Sequence, residues 1–144
     1  IFALGFSHAL GESTIGFYAT PALARTLQGA FPATLDGAPL LLPGIEASVR
    51  GPLLRWIEAA GMRPRIVGEF DDSALMRAFA EAGAGIFPSA SMVGEQLCRQ
   101  AGMVHLGNAD GVTETYYAIS VERRLTHPAV RAISEAATAK QKFV

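Results

Sequence analysis

The residues best placed to bind a ligand lie where three apolar segments give way to a turn and then to a helical pattern. These turns are Leu42-Pro43-Gly44, Phe70-Asp71-Asp72-Ser73 and Phe87-Pro88-Ser89-Ala90-Ser91. In an open α/β sheet the carboxyl ends of parallel strands share one edge, where helix amides point outward and ligands settle. We therefore predict a ligand site at this edge, with serine hydroxyls and with apolar walls. The predicted binding residues are Pro43, Gly44, Ser48, Phe70, Asp71, Phe87, Pro88 and Ser89.

Several of these polar residues also have a purely structural explanation. Asp71, Asp72, Ser73 and Ser89 are typical helix N-cap residues. A cap stabilises a helix by about 1 kcal/mol without any ligand. For the two aspartates, capping is favoured over binding, and both interpretations stay open from the sequence alone.

Other kinds of chemistry have little support in the sequence. His8, His105 and His127 stand alone, with no carboxylate or cysteine at ligand spacing, so we predict no metal site. Cys98 is predicted to be a small buried apolar residue, because nothing near it in sequence would make its thiol a nucleophile. The Gly83-Ala84-Gly85 run lacks the Lys and Ser/Thr of a phosphate loop. Nucleophile and zinc-hydrolase motifs are absent as well, so we predict a binding module with no catalytic residue and no cofactor.

Composition sets the class of molecule. The 144 residues are 50% hydrophobic, with 12 basic and 13 acidic side chains and a net charge of -1. Such a balance does not suit a phosphate backbone, so this segment is not expected to bind nucleic acid by itself. No apolar run approaches the length of a membrane span, and a single cysteine fits a reducing cytoplasm. Because the sequence opens on Ile1 within a patterned segment, we expect a fragment or a processed chain.

Short β-rich runs alternate with helical periods, which predicts βαβ units and a largely parallel sheet. The predicted strands are Thr14–Ala19, Leu40–Leu42, Arg65–Phe70, Gly83–Pro88, Met103–Leu106 and Tyr116–Val121. The predicted helices are Ala22–Leu27, Ala47–Ala60, Asp71 or Asp72 to Ala82, Ser89 or Ser91 to Gln100, and one opened by Pro128. In the third of these helices, Leu75, Met76 and Phe79 are predicted to face inward.

An ordered set of motifs resembles one known family. The run from Gly68 to Phe79, followed by Gly83-Ala84-Gly85-Ile86-Phe87-Pro88, is similar to the centre of the LysR-type effector-binding domain. Further matches are Pro39-Leu40-Leu41-Leu42-Pro43-Gly44, and Tyr117-Ala118-Ile119 with His127-Pro128-Ala129-Val130. Each motif is weak alone, and the ordered set is fairly specific.

The resemblance implies an α/β, periplasmic-binding-protein-like type II fold with an effector cleft between two subdomains. Residues 1–20 would end the first subdomain and form the first crossover strand. Residues 21–113 would form the second subdomain, and residues 114–144 the return crossover strand and C-terminal helix. DNA would be bound only through an N-terminal helix-turn-helix that this sequence does not contain. A cytoplasmic sensor of a small molecule or ion, assembled as a homodimer or tetramer without membrane contact, is the expected function.

Within that family, Leu10-Gly11-Glu12 and Gly68-Glu69-Phe70-Asp71-Asp72 are similar to the sodium/proton-antiporter regulator subgroup of activators. That likeness implies a cation, for which Glu69, Asp71 and Asp72 could supply oxygen ligands. Helix N-termini favour anions instead, so the charge of the effector stays open. Two alternatives to the sensor are a solute-binding protein of a transporter and an enzyme built on the same fold.

Overall fold

The computed structural model describes the backbone of residues 6–120 and the side chains of residues 11–115. Contacts divide the chain into a unit Thr14–Thr113 and a second unit that includes residues 6–13 and 114–120. In the second unit these two segments are strand. The predicted helix opened by Pro128 lies outside the described residues.

Five strands and four α-helices alternate along the described chain. The strands are β1 (Phe6–Ala19), β2 (Pro39–Pro43), β3 (Arg65–Phe70), β4 (Phe87–Ala90) and β5 (Val104–Ser120). The helices are α1 (Pro21–Ala24), α2 (Arg50–Ala59), α3 (Ser73–Glu81) and α4 (Ser91–Ala101), with a 3-10 turn at Ala33–Leu35. The predicted alternation of strand and helix is confirmed.

The strands form two sheets. Strands β2 and β3 run parallel in one of them, and Leu40 of β2 also forms a parallel bridge with Ile86, the residue before β4. The other sheet has the order β4-β1-β5, and β4 runs antiparallel to β1. The prediction of a largely parallel sheet is thus correct for β2 and β3 and wrong for β1 with β4.

Strand β5 corrects the prediction of two short strands at Met103–Leu106 and Tyr116–Val121. The intervening residues include Gly107, Asn108 and Gly111, which are typical of loops. In the fold they continue as one strand from Val104 to Ser120, because β1 is the hydrogen-bonded neighbour of β5 in the sheet. Tertiary pairing outweighs the local preference of these residues.

The helix starts show which sequence signals were reliable. Asp72 caps α3, since its Oδ1 accepts from the amides of Ala74 at 2.8 Å and Leu75 at 3.4 Å. Pro52 falls in the first turn of α2, where its missing N–H costs nothing. The predicted serine cap of α4 is wrong. That helix begins at Ser91 after Ala90, which makes no side-chain cap hydrogen bond.

Helix α3 buries a different stripe from the one predicted. Met76 and Ala80 are buried, whereas Leu75 is 50% exposed and Phe79 is 45% exposed. The Phe79 ring packs instead on Phe70 of β3, with the ring centroids 5.1 Å apart. Only Met76 of the three predicted residues therefore faces inward.

The core lies between β2, β4 and the helices. One buried cluster joins Tyr18, Leu41, Met76, Ala80, Phe87, Leu97 and Met103. A second group is aromatic: Phe17 contacts Phe31 and Trp56 at centroid distances of 5.8 and 5.7 Å. Trp56 is the member of this aromatic group that packs on both phenylalanines, and it is partly exposed.

Tyr18 is the polar member of the core. Its ring stacks on His105 at a centroid distance of 4.9 Å. Burial, followed by the nearby Cys98 thiol and Glu95 carboxylate, raises the pKa of Tyr18 to about 12. Burial and Glu95 also raise the pKa of Cys98, against a smaller opposite effect of Arg99. A raised pKa keeps the thiol protonated and a poor nucleophile.

The raised pKa of Tyr18 predicts a loss of stability at alkaline pH. Above the pKa near 10 of an unfolded tyrosine, the unfolded chain releases this proton while the folded chain keeps it until about pH 12. The stability that Tyr18 contributes is therefore complete below pH 10 and is lost as the pH rises towards 12. We expect Tyr18→Phe to flatten the pH dependence of the free energy of unfolding in this window, measured by urea titration. An unchanged slope would contradict this assignment.

Candidate ligand-binding site

The carboxyl ends of β2 and β3 meet at one edge of the fold. Pro43 and Phe70, the last residues of the two strands, are paired in register. The next residue, Gly44, donates its amide to the Phe70 carbonyl at 2.8 Å. A pocket of about 280 Å³ opens here, lined by Gly44, Glu46, Ala47, Phe70 and Asp71. Three of these five residues, Gly44, Phe70 and Asp71, are among those predicted from the sequence.

Gly44 fits this site because of space, not because of backbone strain. Its φ is not in the left-handed region. A Cβ placed on Gly44 would overlap the Asp71 carboxylate, with Oδ1 as the nearest atom. The absence of a side chain at position 44 therefore allows Asp71 to lie against the end of β2, at the pocket wall.

Arg50 is a part of this edge that was not among the residues predicted from the sequence. Its Nη1 donates to the Pro43 carbonyl at 2.9 Å, and its Nη2 lies 2.6 Å from Glu69 Oε1. The side chain is only 20% exposed. Arg50 therefore connects the first turn of α2 to the ends of both strands. A positive charge in the first turn of a helix is unfavourable because the N-terminal end of the helix is itself partly positive. This unfavourable position is the sequence signal that points to a neighbouring anion.

The three acidic residues suggested as cation ligands have different environments. Glu69 pairs with Arg50, and Asp72 caps α3. Asp71 alone of the three lines the pocket. Within the described side chains, no group of three or more His, Cys, Asp or Glu residues is arranged to hold a metal ion. The hypothesis that Glu69, Asp71 and Asp72 act together as ligands is therefore not supported.

Two prolines end the bridge between β2 and β4. Ile86 donates to the Pro39 carbonyl at 2.8 Å and accepts from the Leu41 amide at 2.9 Å. In a parallel ladder the next rung would need the amides of residues 88 and 43 as donors. Both residues are proline and have no N–H. Backbone pairing between β2 and β4 therefore stops before the edge that carries the pocket.

The remaining predicted residues do not line this pocket. Ser48 is exposed, whereas Phe87, Pro88 and Ser89 are buried in β4 and paired with β1. Phe87 belongs to the hydrophobic core, and the Ser89 hydroxyl donates to the Ala90 carbonyl at 3.3 Å. The sequence pattern identified the strand ends, but it did not show that β4 turns its residues into the core.

A protein-family model decides the family. The model of the LysR substrate binding domain matches residues 6–142. The chain belongs to the LysR substrate-binding domain family. The resemblance noted in the sequence motifs is thereby confirmed.

Curated relatives of this LysR domain are named as regulators. It is 35% identical to the transcriptional activator protein NhaR of Escherichia coli (strain K12) over 128 residues, which are 89% of this chain. NhaR of Shigella flexneri matches to the same extent. The chain spans 42% of the length of each of these relatives. The predicted likeness to the antiporter-regulator subgroup is confirmed at the level of sequence similarity.

Solved structures of LysR regulatory domains share the fold. The regulatory domain of HypT from Salmonella typhimurium aligns with a TM-score of 0.63 at 15% identity, covering 98% of this chain and 67% of that chain. The AmpR effector domain of Pseudomonas aeruginosa gives a TM-score of 0.63 at 22% identity, with coverages of 97% and 68%. The LysR domain described here therefore has the periplasmic-binding-protein-like type II fold. Among residues 6–120, no helix combines the length and the apolar character needed to cross a bilayer.

Proposed function

We propose that this chain is the effector-sensing module of a LysR-type transcription activator that works in the cytoplasm. The observation that carries the proposal is the pocket formed by Gly44, Phe70 and Asp71 at the carboxyl edge of a parallel strand pair. Ligands of open α/β sheets bind at this edge. DNA contact would be made by a separate domain, since the segment carries a net charge of -1.

The other predicted binding residues stay part of the proposal, although they do not line the pocket. Pro43 is the last residue of β2, and its carbonyl accepts a hydrogen bond from Arg50. Ser48 lies in the turn between β2 and α2. Phe87, Pro88 and Ser89 remain a prediction that ligand titration of variants would test. We also keep the predicted division at residues 20 and 113 as a proposal for the subdomain boundaries.

The charge of the pocket favours an effector that offers positive charge or hydrogen-bond donors. Glu46 and Asp71 both line it, while Arg50, at the same strand ends, is paired with Glu69. An organic anion would meet two carboxylates and no lysine or arginine among the described lining residues. Sodium and organic amines satisfy this condition, and hard cations prefer such oxygen ligands.

Sensing requires that the effector bind one conformation more tightly than another, because equal affinity would shift no equilibrium. Arg50 is a suitable connection, since it holds α2, Pro43 and Glu69 together beside the pocket. Movement of Asp71 or Glu69 on binding would be passed to α2 through this ion pair. Titrating the gene's full protein product with sodium, an organic amine and an organic acid, while recording promoter binding, tests the proposal. A response to the acid alone would contradict the charge assignment.

Gly44→Ala should abolish or strongly weaken the effector response. The new methyl group would occupy the position of the Asp71 carboxylate and displace it from the pocket wall. We expect the effector concentration for half-maximal response in a promoter reporter to rise about tenfold or more, if one charge-assisted contact is lost. Ile45→Ala is the matched control, because Ile45 is adjacent but 82% exposed. Equal responses of the two variants would remove Gly44 and Asp71 from the site.

We also propose self-association through an exposed apolar surface on β3 and α3. The side chains of Ile66 and Val67 on β3 are 41% and 42% exposed. Those of Leu75 and Phe79 on α3 are 50% and 45% exposed. A register shift beside Leu40/Leu41 accounts for two consecutive apolar residues being exposed on β3. Apolar surface of this kind marks protein contacts.

Leu75→Lys is expected to shift the chain towards monomer. Two lysines in a symmetric contact would have to lose their hydration when the surface is covered. Sedimentation velocity over a dilution series measures the change. Val104→Lys, at a residue that is 37% exposed on a different element, is the control. If both variants associate like the unmodified chain, this surface is not the interface.

Enzymatic activity and solute transport are not favoured. The two acidic groups lining the pocket, Glu46 and Asp71, have no neighbouring nucleophile among the described lining residues. Solute-binding proteins share the fold, but the curated relatives are transcription activators by name.

A further inference from the structure

A second, larger pocket lies at the opposite ends of β2 and β3 from the effector edge. Its volume is about 440 Å³, which is within the range of small-ligand sites. Pro39 and Arg65, the first residues of the two parallel strands, form one side of it. The rest comes from the segment after α1 and from the 3-10 turn. These further lining residues are Thr26, Leu27, Gln28, Ala33, Thr34, Asp36, Gly37 and Ala38.

This pocket presents one positive and one negative side chain that do not neutralise each other. Arg65 is exposed and belongs to none of the ion pairs of the described residues. Asp36 is also exposed, and its Oδ1 accepts from the Arg63 amide at 2.8 Å. A carboxylate has room for further donors on its second oxygen. Opposite charges in one cavity without a mutual ion pair suit a ligand that carries both charges.

A hydroxyl without a hydrogen-bond partner belongs to one of the lining residues of this pocket. In the part of the chain whose side chains are described, Thr34 Oγ1 is buried and has no hydrogen-bond partner. Buried polar groups in proteins are nearly always hydrogen-bonded, and each exception needs an explanation. Thr34 lines this pocket, and a rotation about its Cα–Cβ bond would turn the hydroxyl to a polar ligand atom.

We propose that this pocket binds a free α-amino acid as a zwitterion. The Arg65 guanidinium donates to the ligand carboxylate, and Asp36 accepts from the ligand ammonium group. Thr34 and Gln28 form further hydrogen bonds with the carboxylate or ammonium group of the ligand. A dianion such as phosphate fits less well, because the single arginine would have to compensate two charges beside the Asp36 carboxylate. The site is distinct from the effector edge and does not depend on the function proposed there.

The test is a thermal-unfolding screen of the chain with proteinogenic L-amino acids, one at a time and at millimolar concentration. Ligand that binds only the folded state should raise Tm by roughly 3 to 6 °C once it is well above its Kd. The N-acetyl derivative and the methyl ester of the best ligand should each lose this shift, since each lacks one of the two charges. The proposal would be overturned if no amino acid raised Tm, or if either derivative raised Tm as much as the free amino acid does.

Variants connect the binding to the named residues. Arg65→Gln and Asp36→Asn should each weaken the Kd, measured by calorimetry, by about tenfold or more, as expected for lost charge-assisted hydrogen bonds. Asp36→Asn keeps an oxygen that accepts from the Arg63 amide, so folding should be retained. Thr34→Val should weaken binding by about fivefold and leave Tm of the free protein unchanged or higher. Arg63→Gln, at a neighbouring arginine that does not line the pocket, and Asp71→Asn, at the effector edge, should bind normally. Normal binding by Arg65→Gln would refute the site.

Discussion

Gly94→Ala should destabilise this domain by about 2 to 3 kcal/mol, lowering Tm by roughly 6 to 12 °C, although alanine is the better helix former. Gly94 is buried in α4, and a Cβ at this position would overlap the Cζ, Cε2 and hydroxyl oxygen atoms of Tyr18 in β1. Phenol and helix backbone are in direct contact, so the added methyl must push α4 away from the sheet. Thermal unfolding followed by circular dichroism measures the change.

Gly51→Ala is the matched control for that substitution. Gly51 is also helical, but the nearest side-chain atom to its Cβ would be Arg55 Nη1 at 3.2 Å, the end of a flexible side chain. We expect no loss, and a gain of up to about 1 kcal/mol from helix propensity. In a Tyr18→Ala background, the cost of Gly94→Ala should largely disappear. Equal effects of the two alanine substitutions, or an unchanged cost without the ring, would contradict the close packing.

Leu41→Ala is expected to cost about 3 kcal/mol in the free energy of unfolding from urea titration. Leu41 is 1% exposed and belongs to the main core cluster, and its side chain covers Gly85 so closely that a Cβ there would lie 3.1 Å from Leu41 Cγ. Removing three carbons in the middle of the sheet leaves a cavity that neighbouring strands cannot fill.

Leu75→Ala provides the comparison, because Leu75 was predicted to be buried and is 50% exposed. In dilute, monomeric protein, we expect it to change the free energy of unfolding by no more than about 0.5 kcal/mol. A cost near that of Leu41→Ala would mean that α3 buries the stripe predicted from the sequence and not the one built on Met76 and Ala80.

Local signals predicted the elements best where one physical cause acted alone. Strand Arg65–Phe70 was predicted with the bounds that β3 has, and Asp72 is the cap of α3 because its carboxylate lies beside the orphan amides of that helix. The motifs also identified the family, and with it the fold. For β3 and for the cap of α3, the residues next to one another in the sequence were enough to predict the local structure.

Signals failed where distant partners decided the outcome. Gly107 and Gly111 are typical of a loop, yet they lie within one long strand because β1 lies next to β5. Phe79 packs on Phe70 of β3, which is itself only partly buried, and so it stays 45% exposed and outside the core.

At the candidate site, sequence analysis identified Gly44, Phe70 and Asp71 from the order of strand and turn. It did not identify Arg50, whose two partners are 7 and 19 residues away in the chain. The spacing of apolar residues along the sequence does not predict contacts between polar residues so far apart. Only the mismatch between an arginine and the positive end of a helix gave a sign of them.

The prolines at positions 43 and 88 limit how far β2 and β4 can pair. Because neither imino acid has a hydrogen to donate, no rearrangement of side chains can zip β2 and β4 together at that end. This gap in the backbone pairing is set by the covalent structure of the two residues and does not depend on the side chains around it. The ladder between β2 and β4 could therefore be lengthened only by replacing at least one of these prolines.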